Sequence, residues 1–318
     1  MKKKVVFTTA FISLLFLVAS GAFFVDLAVT NPAFMLPAIT INSDGSISPQ
    51  TELISRNGNA YTLTADIQEN PIVIKRSDII FDGAGHTINV TEGDNCGLSL
   101  KEVNNVIVRN ISVYSRHPNT IDLFNSNDCL ITRVQAGIRV IGDFNNITKS
   151  TIGIIVSTGS NNLVTRNNIN DVAVGPECYS NKFFQNNFYL NAYPEFFTES
   201  IWDNGSVGNY WSNYTIKYPN ASEIGNTGIG DTPYVIEREW YTTKEYPNAT
   251  NVDNYPLMYP YDIENDAIAF PTPEPTPTPE PEPFPTTLVT SASVATATAI
   301  VGVTLLIYFK KRKHSTER

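Results

Sequence analysis

The sequence predicts an all-β chain wound into a right-handed parallel β-helix, closed by an aromatic-rich C-terminal cap and flanked by an N-terminal signal segment and a C-terminal transmembrane helix. Two patterns and an absence carry the solenoid. Asx anchors at Asp78, Asn105, Asp128, Asn145, Asn162 and Asn181 recur at intervals of about 17 to 27 residues. Two residues after each anchor stand Ile80, Ile107, Leu130, Ile147, Val164 and Phe183, an expected inward column. Five residues after it stand Gly83, Asn110, Arg133, Ser150, Asn167 and Asn186, mostly types that tolerate a left-handed bend. Each copy therefore reads strand, bend, strand. No window sustains a 3.6-residue apolar period, and copies of roughly 20 residues are too short for a β–α–β unit. Stacked parallel coils remain, about 4.8 Å apart, with Asn ladders expected at the bends. A β-sandwich would need hairpin turns and leaves the periodic return of one residue type unexplained.

In chain order, residues 1–30 read as a signal peptide or signal anchor: Met1-Lys2-Lys3-Lys4 precedes an apolar run from Val5 to about Val25. Residues 31–74 are an N-terminal lead-in and cap, and 75–191 are the β-helix repeats. Residues 192–265 form the cap module, because 189–261 hold all three tryptophans and most of the tyrosines. Either that region packs its own aromatic core, or Trp202 and Trp211 offer a stacking platform for sugar rings. Residues 266–287 alternate Pro with Thr and Glu, which gives an extended polyproline-like stalk. Residues 288–309 carry no charge and run into Lys310-Lys311-Arg312-Lys313. Roughly 20 residues at about 1.5 Å each cross a hydrocarbon core of about 30 Å. A single-pass plasma-membrane protein is expected, its bulk extracellular and its basic tail, 310–318, cytoplasmic.

The chain has 22 Lys and Arg against 31 Asp and Glu, a net charge of -9. Much of the positive charge sits in the terminal clusters, so the middle is acidic and nucleic acid is not an expected partner. Export would make seven Asn-X-Ser/Thr sequons usable as glycosylation candidates: Asn89, Asn110, Asn146, Asn204, Asn213, Asn220 and Asn248. Cys96, Cys129 and Cys178 imply no disulfide framework, although one bridge stays open.

The runs Phe81-Asp82-Gly83-Ala84-Gly85-His86-Thr87-Ile88, 161–169, Gly208-Asn209-Tyr210-Trp211-Ser212-Asn213-Tyr214, Gly228-Ile229-Gly230-Asp231-Thr232-Pro233-Tyr234 and Asp253-Asn254-Tyr255-Pro256-Leu257-Met258 are similar to those of the NosD-like right-handed parallel β-helix family. The resemblance covers about residues 75–260. It implies the fold and a place among anchored surface proteins, within a wider set of carbohydrate-binding and sugar-hydrolysing β-helices, but not an activity. The family's namesake is linked to copper delivery, and copper needs soft or imidazole ligands. His86, His117, the separated cysteines, Met35 and Met258 form no cluster, so no metal site is expected. Calcium lacks support too, because Glu223, Asn226 and Asp231 are too irregular for a binding loop, and no cofactor is expected.

Four residues after each anchor stand Asp82, Arg109, Thr132, Lys149, Arg166 and Gln185. In that register Arg109, Lys149 and Arg166 share one outward column with Arg133 beside it, a basic stripe suited to acidic polysaccharide or cell-envelope components. Candidates for catalysis are weaker: Tyr114, Arg116 and His117 in one loop, and Asp122 in the Asn119-Thr120-Ile121-Asp122 run. The expected function is a surface envelope or adhesion module that binds polysaccharide. The alternative is a membrane-tethered polysaccharide lyase, hydrolase or epimerase, with copper handling a minor third reading.

Overall fold

A computed structural model describes residues 36–189, 195–196 (backbone alone), 200–236, 251–270 and 307. The chain divides into two compact units, Met1–Phe270 and Pro271–Arg318. The expected signal segment, most of the stalk, the span 288–309 except Ile307, and the basic tail lie outside the described residues. Among the described residues no helix is long and apolar enough to cross a membrane.

The first unit is a parallel β-solenoid of about seven turns with almost no helix, Tyr214–Lys217 being a single turn. Three ladders of strands run along it. The first stacks Ala60–Leu63, Ile79–Asp82, the start of Val106–Ser115, the start of Leu130–Ile141, Asn146–Thr148, Leu163–Thr165 and Lys182–Phe184. The second runs from Ile67–Gln68 through Thr87–Val90, the long strands and Asn187–Phe188 to Tyr210–Trp211. The third begins with Ile39–Ile41 on Ile72–Ile74, then Leu98–Lys101 and Ile121–Phe124. Parallel pairing thus already includes residues of the expected N-terminal lead-in.

Alternation of side chains along each strand decides what faces the interior. On the first ladder the inward column is Phe81, Val108, Ile131, Ile147, Val164 and Phe183, all fully buried. This corrects the column expected from the anchors. Ile80, Ile107 and Leu130 are half-buried outward residues in register with Asn146, Leu163 and Lys182. The anchors are therefore two kinds of residue, one position apart. Asp78, Asn105 and Asp128 adopt left-handed φ values of 58°, 54° and 54°, whereas in the later coils Phe144, Asn161 and Ser180 take that conformation. Asn145, Asn162 and Asn181 follow the bend and point inward.

Those inward amides form the expected ladder. Asn145 Oδ1 accepts from the Cys129 N–H at 3.0 Å, Asn162 Oδ1 from Asn145 N–H at 2.9 Å, and Asn181 Oδ1 from Asn162 N–H at 2.9 Å. Each Nδ2 donates to a carbonyl of the preceding coil, so no polar atom of the amide is stranded in the core. A second ladder runs down the next corner through Ser150, Asn167, Asn186 and Asn209. It ends on Asp253, which accepts from the Asn209 N–H at 2.7 Å.

Beyond the last coil the aromatic residues close the open end, as a solenoid requires. Phe183 stacks on Trp202 at 4.7 Å, and Phe188, Trp211 and Tyr234 form a continuous stack with 4.3 Å between successive centroids. Trp202 and Trp211 are buried and donate their indole N–H groups to Asn251 and Asp253. They belong to the core of the cap rather than to a surface platform.

Candidate functional site

The corner between the first and second ladders carries an outward cleft. Asn110, Arg133, Lys149, Arg166 and Gln185 occupy it on successive coils, each left-handed with φ between 53° and 58°. Such φ values are uncommon outside glycine. Here the ladder residue that follows each of the later bends, Ser150, Asn167 or Asn186, is buried and hydrogen-bonded, which holds the bend in place.

Pairing register corrects the expected stripe. Arg109 aligns with Asp82 and Thr132, one position before the corner column, and its Nε donates to Asp82 at 2.8 Å. Burial pushes the Asp82 carboxyl up, but the Ala84 N–H, Asn110 and Arg109 outweigh it and hold it below its ordinary value. The column that does exist is Arg133, Lys149 and Arg166. Arg166 is tied to Asp266, which also accepts from the Tyr261 hydroxyl at 2.7 Å. Burial and that bond push Tyr261 up to about 12, so it stays a neutral donor. Arg133 and Lys149 form no ion pair within 4.0 Å among the described residues.

Beside these two cations opens a groove of about 680 Å³. Its floor is the outward column of the second ladder, where Gln135, Thr151, Asn168 and Asn187 stand in register. Tyr189, 39 % exposed, lies at one end, and the strap around Tyr261 and Asp262 forms the far wall. The strap is fixed by Asn187, which accepts from the Tyr261 N–H at 2.6 Å and donates to its carbonyl at 2.9 Å. The arrangement offers cations, amides, hydroxyls and one aromatic face on the coil surface, opposite the carboxylates of Asp262 and Glu264 on the strap. Sequence reasoning missed the floor and Tyr189. The signal that would have found the floor is the polar residue recurring two positions beyond each corner residue.

The candidates for acid/base chemistry are placed differently. Tyr114 is exposed on the second ladder, in register with Asn89. His117 Nδ1 accepts from the Asn119 N–H at 3.1 Å and lies 4.0 Å from the Cys96 sulfur. Arg116 is exposed. Asp122 sits on the third ladder, buried, with both oxygens held by Arg139 at 2.8 and 2.7 Å. That fork occupies both carboxylate oxygens with one guanidinium. All three cysteines are free, and burial pushes the Cys96 and Cys129 thiols up to about 11, so neither is a ready nucleophile. Glu223 and Asp231 are engaged in the turn they share, accepting from the Gly228 and Ser222 N–H groups.

A coiled, parallel scaffold with a polar groove along one corner defines the protein as a parallel β-solenoid. The sequence model of the family described as "Periplasmic copper-binding protein (NosD)" matches residues 37–216, more than half of the chain, and the protein belongs to that family. No curated protein and no solved structure matches it.

Proposed function

We propose that this NosD-family domain is a cell-surface module that binds acidic polysaccharide along the corner groove, held at the membrane by the stalk and the apolar segment 288–309. The supporting observation is the pair Arg133 and Lys149 on adjacent coils, which form no ion pair within 4.0 Å among the described residues, above a floor of aligned amides and hydroxyls. Adjacent coils are about 4.8 Å apart, so both cations reach one bound chain. Sugar carboxylates or sulfates pair with the cations, ring hydroxyls meet Gln135, Thr151 and Asn168, and Tyr189 offers a face for stacking. No turnover is assigned, because Asp122 is held by Arg139.

The test is binding of the purified full chain to polygalacturonate, a sulfated glycan and a neutral glucan. Acidic chains should bind in a salt-sensitive way. Arg133→Ala and Lys149→Ala should each weaken binding about tenfold, the loss of one charge-assisted contact, and Arg109→Ala should not. Equal binding of the neutral glucan would sink the reading. Shortened or epimerised polysaccharide in the same mixtures would establish the enzymatic alternative. For topology, protease added to intact cells should remove the domain.

The family description names copper, and the residues present do not fit a resident copper ion. Among the described residues no three His, Cys, Asp or Glu side chains are grouped to hold a metal. Among the described residues the one place where sulfur approaches imidazole, Cys96 with His117, supplies two donors, with the thiol pushed up by burial and Nδ1 accepting from the Asn119 N–H.

A further inference from the structure

Most of the described sequons use their asparagine in the fold. Asn89 donates to Gln68 at 3.2 Å, Asn110 holds a left-handed bend and donates to Asp82 at 3.1 Å, Asn146 has a buried Oδ1, and Asn213 accepts from the Tyr234 hydroxyl at 2.9 Å. Asn204 is different. It is exposed, and its Oδ1 accepts from the Ser206 N–H at 3.1 Å, the Ser206 hydroxyl at 2.9 Å and the Val207 N–H at 2.9 Å. Its Nδ2 has no hydrogen-bond partner among the described residues. The sequon hydroxyl thus draws on the amide oxygen, which makes an Nδ2 proton easier to lose. Exposed Asn220 shares this freedom but not the surroundings that follow.

Asn204 also forms part of the wall of a second groove, of about 740 Å³, on the outward side of the first ladder. Phe144 is 59 % exposed there and Ile201 43 %, with Leu163 and Phe184 half-buried between them. Four apolar side chains thus meet in one outward cleft. Asn161, Lys182 and Asp203 supply polar contacts at its edges.

We propose that Asn204 is an N-glycosylation site and that the attached glycan is what covers this groove, its first pyranose rings lying on Phe144 and Phe184. The donor is a lipid-phosphate-linked oligosaccharide. Nδ2 attacks its anomeric carbon, a C–N bond forms, the bond from that carbon to the phosphate oxygen breaks with its electrons leaving on the lipid phosphate, and one Nδ2 proton passes to base. The proposal rests on the exterior placement above.

The experiment uses the full chain isolated from the cells that make it. Mass spectrometry of the peptide containing residue 204 should show a hexose-bearing addition that is absent from Asn204→Gln and Ser206→Ala. Without the glycan the groove is bare, so Ser206→Ala should bind an apolar fluorescent dye several-fold more strongly than the parent, and adding Phe144→Ser should reverse the gain. An unmodified residue-204 peptide, in a protein that protease reaches on intact cells, overturns the proposal and leaves the exterior placement standing. Full protection from that protease overturns both. A modified Asn204 whose removal leaves dye binding unchanged overturns the groove assignment.

Discussion

Asp253 ends the second amide ladder with four N–H donors aimed at its two oxygens: the Asn209 backbone and side chain and Trp211 on Oδ2, and the Tyr255 backbone on Oδ1. Close approach is possible because Gly208 has no side chain; a Cβ there would stand 1.8 Å from Oδ1. Asp253→Ala leaves buried donors unpaired and should lower unfolding stability by about 3 kcal/mol, read from the shift of a urea transition. Burial pushes the carboxyl from 3.8 up to about 7, against the pull of Trp211, Asn209 and Tyr255. A value raised in the folded state means that the folded state holds the proton more tightly. The resulting stabilisation is full below pH 3.8 and is lost as pH rises through about 7. Raising the pH over that window should therefore lower the stability of the parent relative to Asp253→Asn; a parent that gained stability relative to the variant with rising pH would refute the assignment. The sequence places Asp253 in a family-like run without showing what it does there, because its role depends on Asn209, 44 residues away.

At the scale of the element, the Asn ladder and the corner column show what pattern reading reaches and where it stops. Asn and Asp favour both left-handed bends and local side-chain bonds, so residue type alone did not separate Asp128 at a bend from Asn145 in the core. Parity did carry the information: Ile79 and Phe81, Val106 and Val108, and Cys129 and Ile131 are inward pairs on alternate positions. The bends cluster Arg133, Lys149 and Arg166, but only the register excludes Arg109. Asn162→Ala removes the acceptor for the Asn145 N–H and the donor to Gly142 O, and should cost about 2 kcal/mol or more. Its check is a lower thermal midpoint with unchanged strand content by circular dichroism. Gly142 lies in the next stacking column with φ 151°, and a Cβ there would meet Ser126 O at 2.0 Å. Gly142→Ala should destabilise at least as much, since the clash is with the backbone of the adjacent coil, which has nowhere to move.

For the whole molecule, the cap decides which aromatic residues are available to a ligand. Stacking on the last coil takes Trp202 and Trp211 out of solvent and leaves Tyr189 as the aromatic of the groove. Truncation before residue 200 should expose the core of the last coil, and the product should aggregate in light scattering where the full chain does not. Composition and period by themselves determined the class of fold, because side-chain alternation and bend-tolerant residues are local properties that repeat with every coil. The sequence also supplied the cations and sequons, without their standing. Tertiary structure alone decided the partners of Arg109, Arg166 and Asp122, the burial of the tryptophans and the strap that walls the corner groove. Each of these depends on which residue of the next coil, or of a strap far along the chain, comes to lie within a few ångströms, and no local pattern encodes that contact.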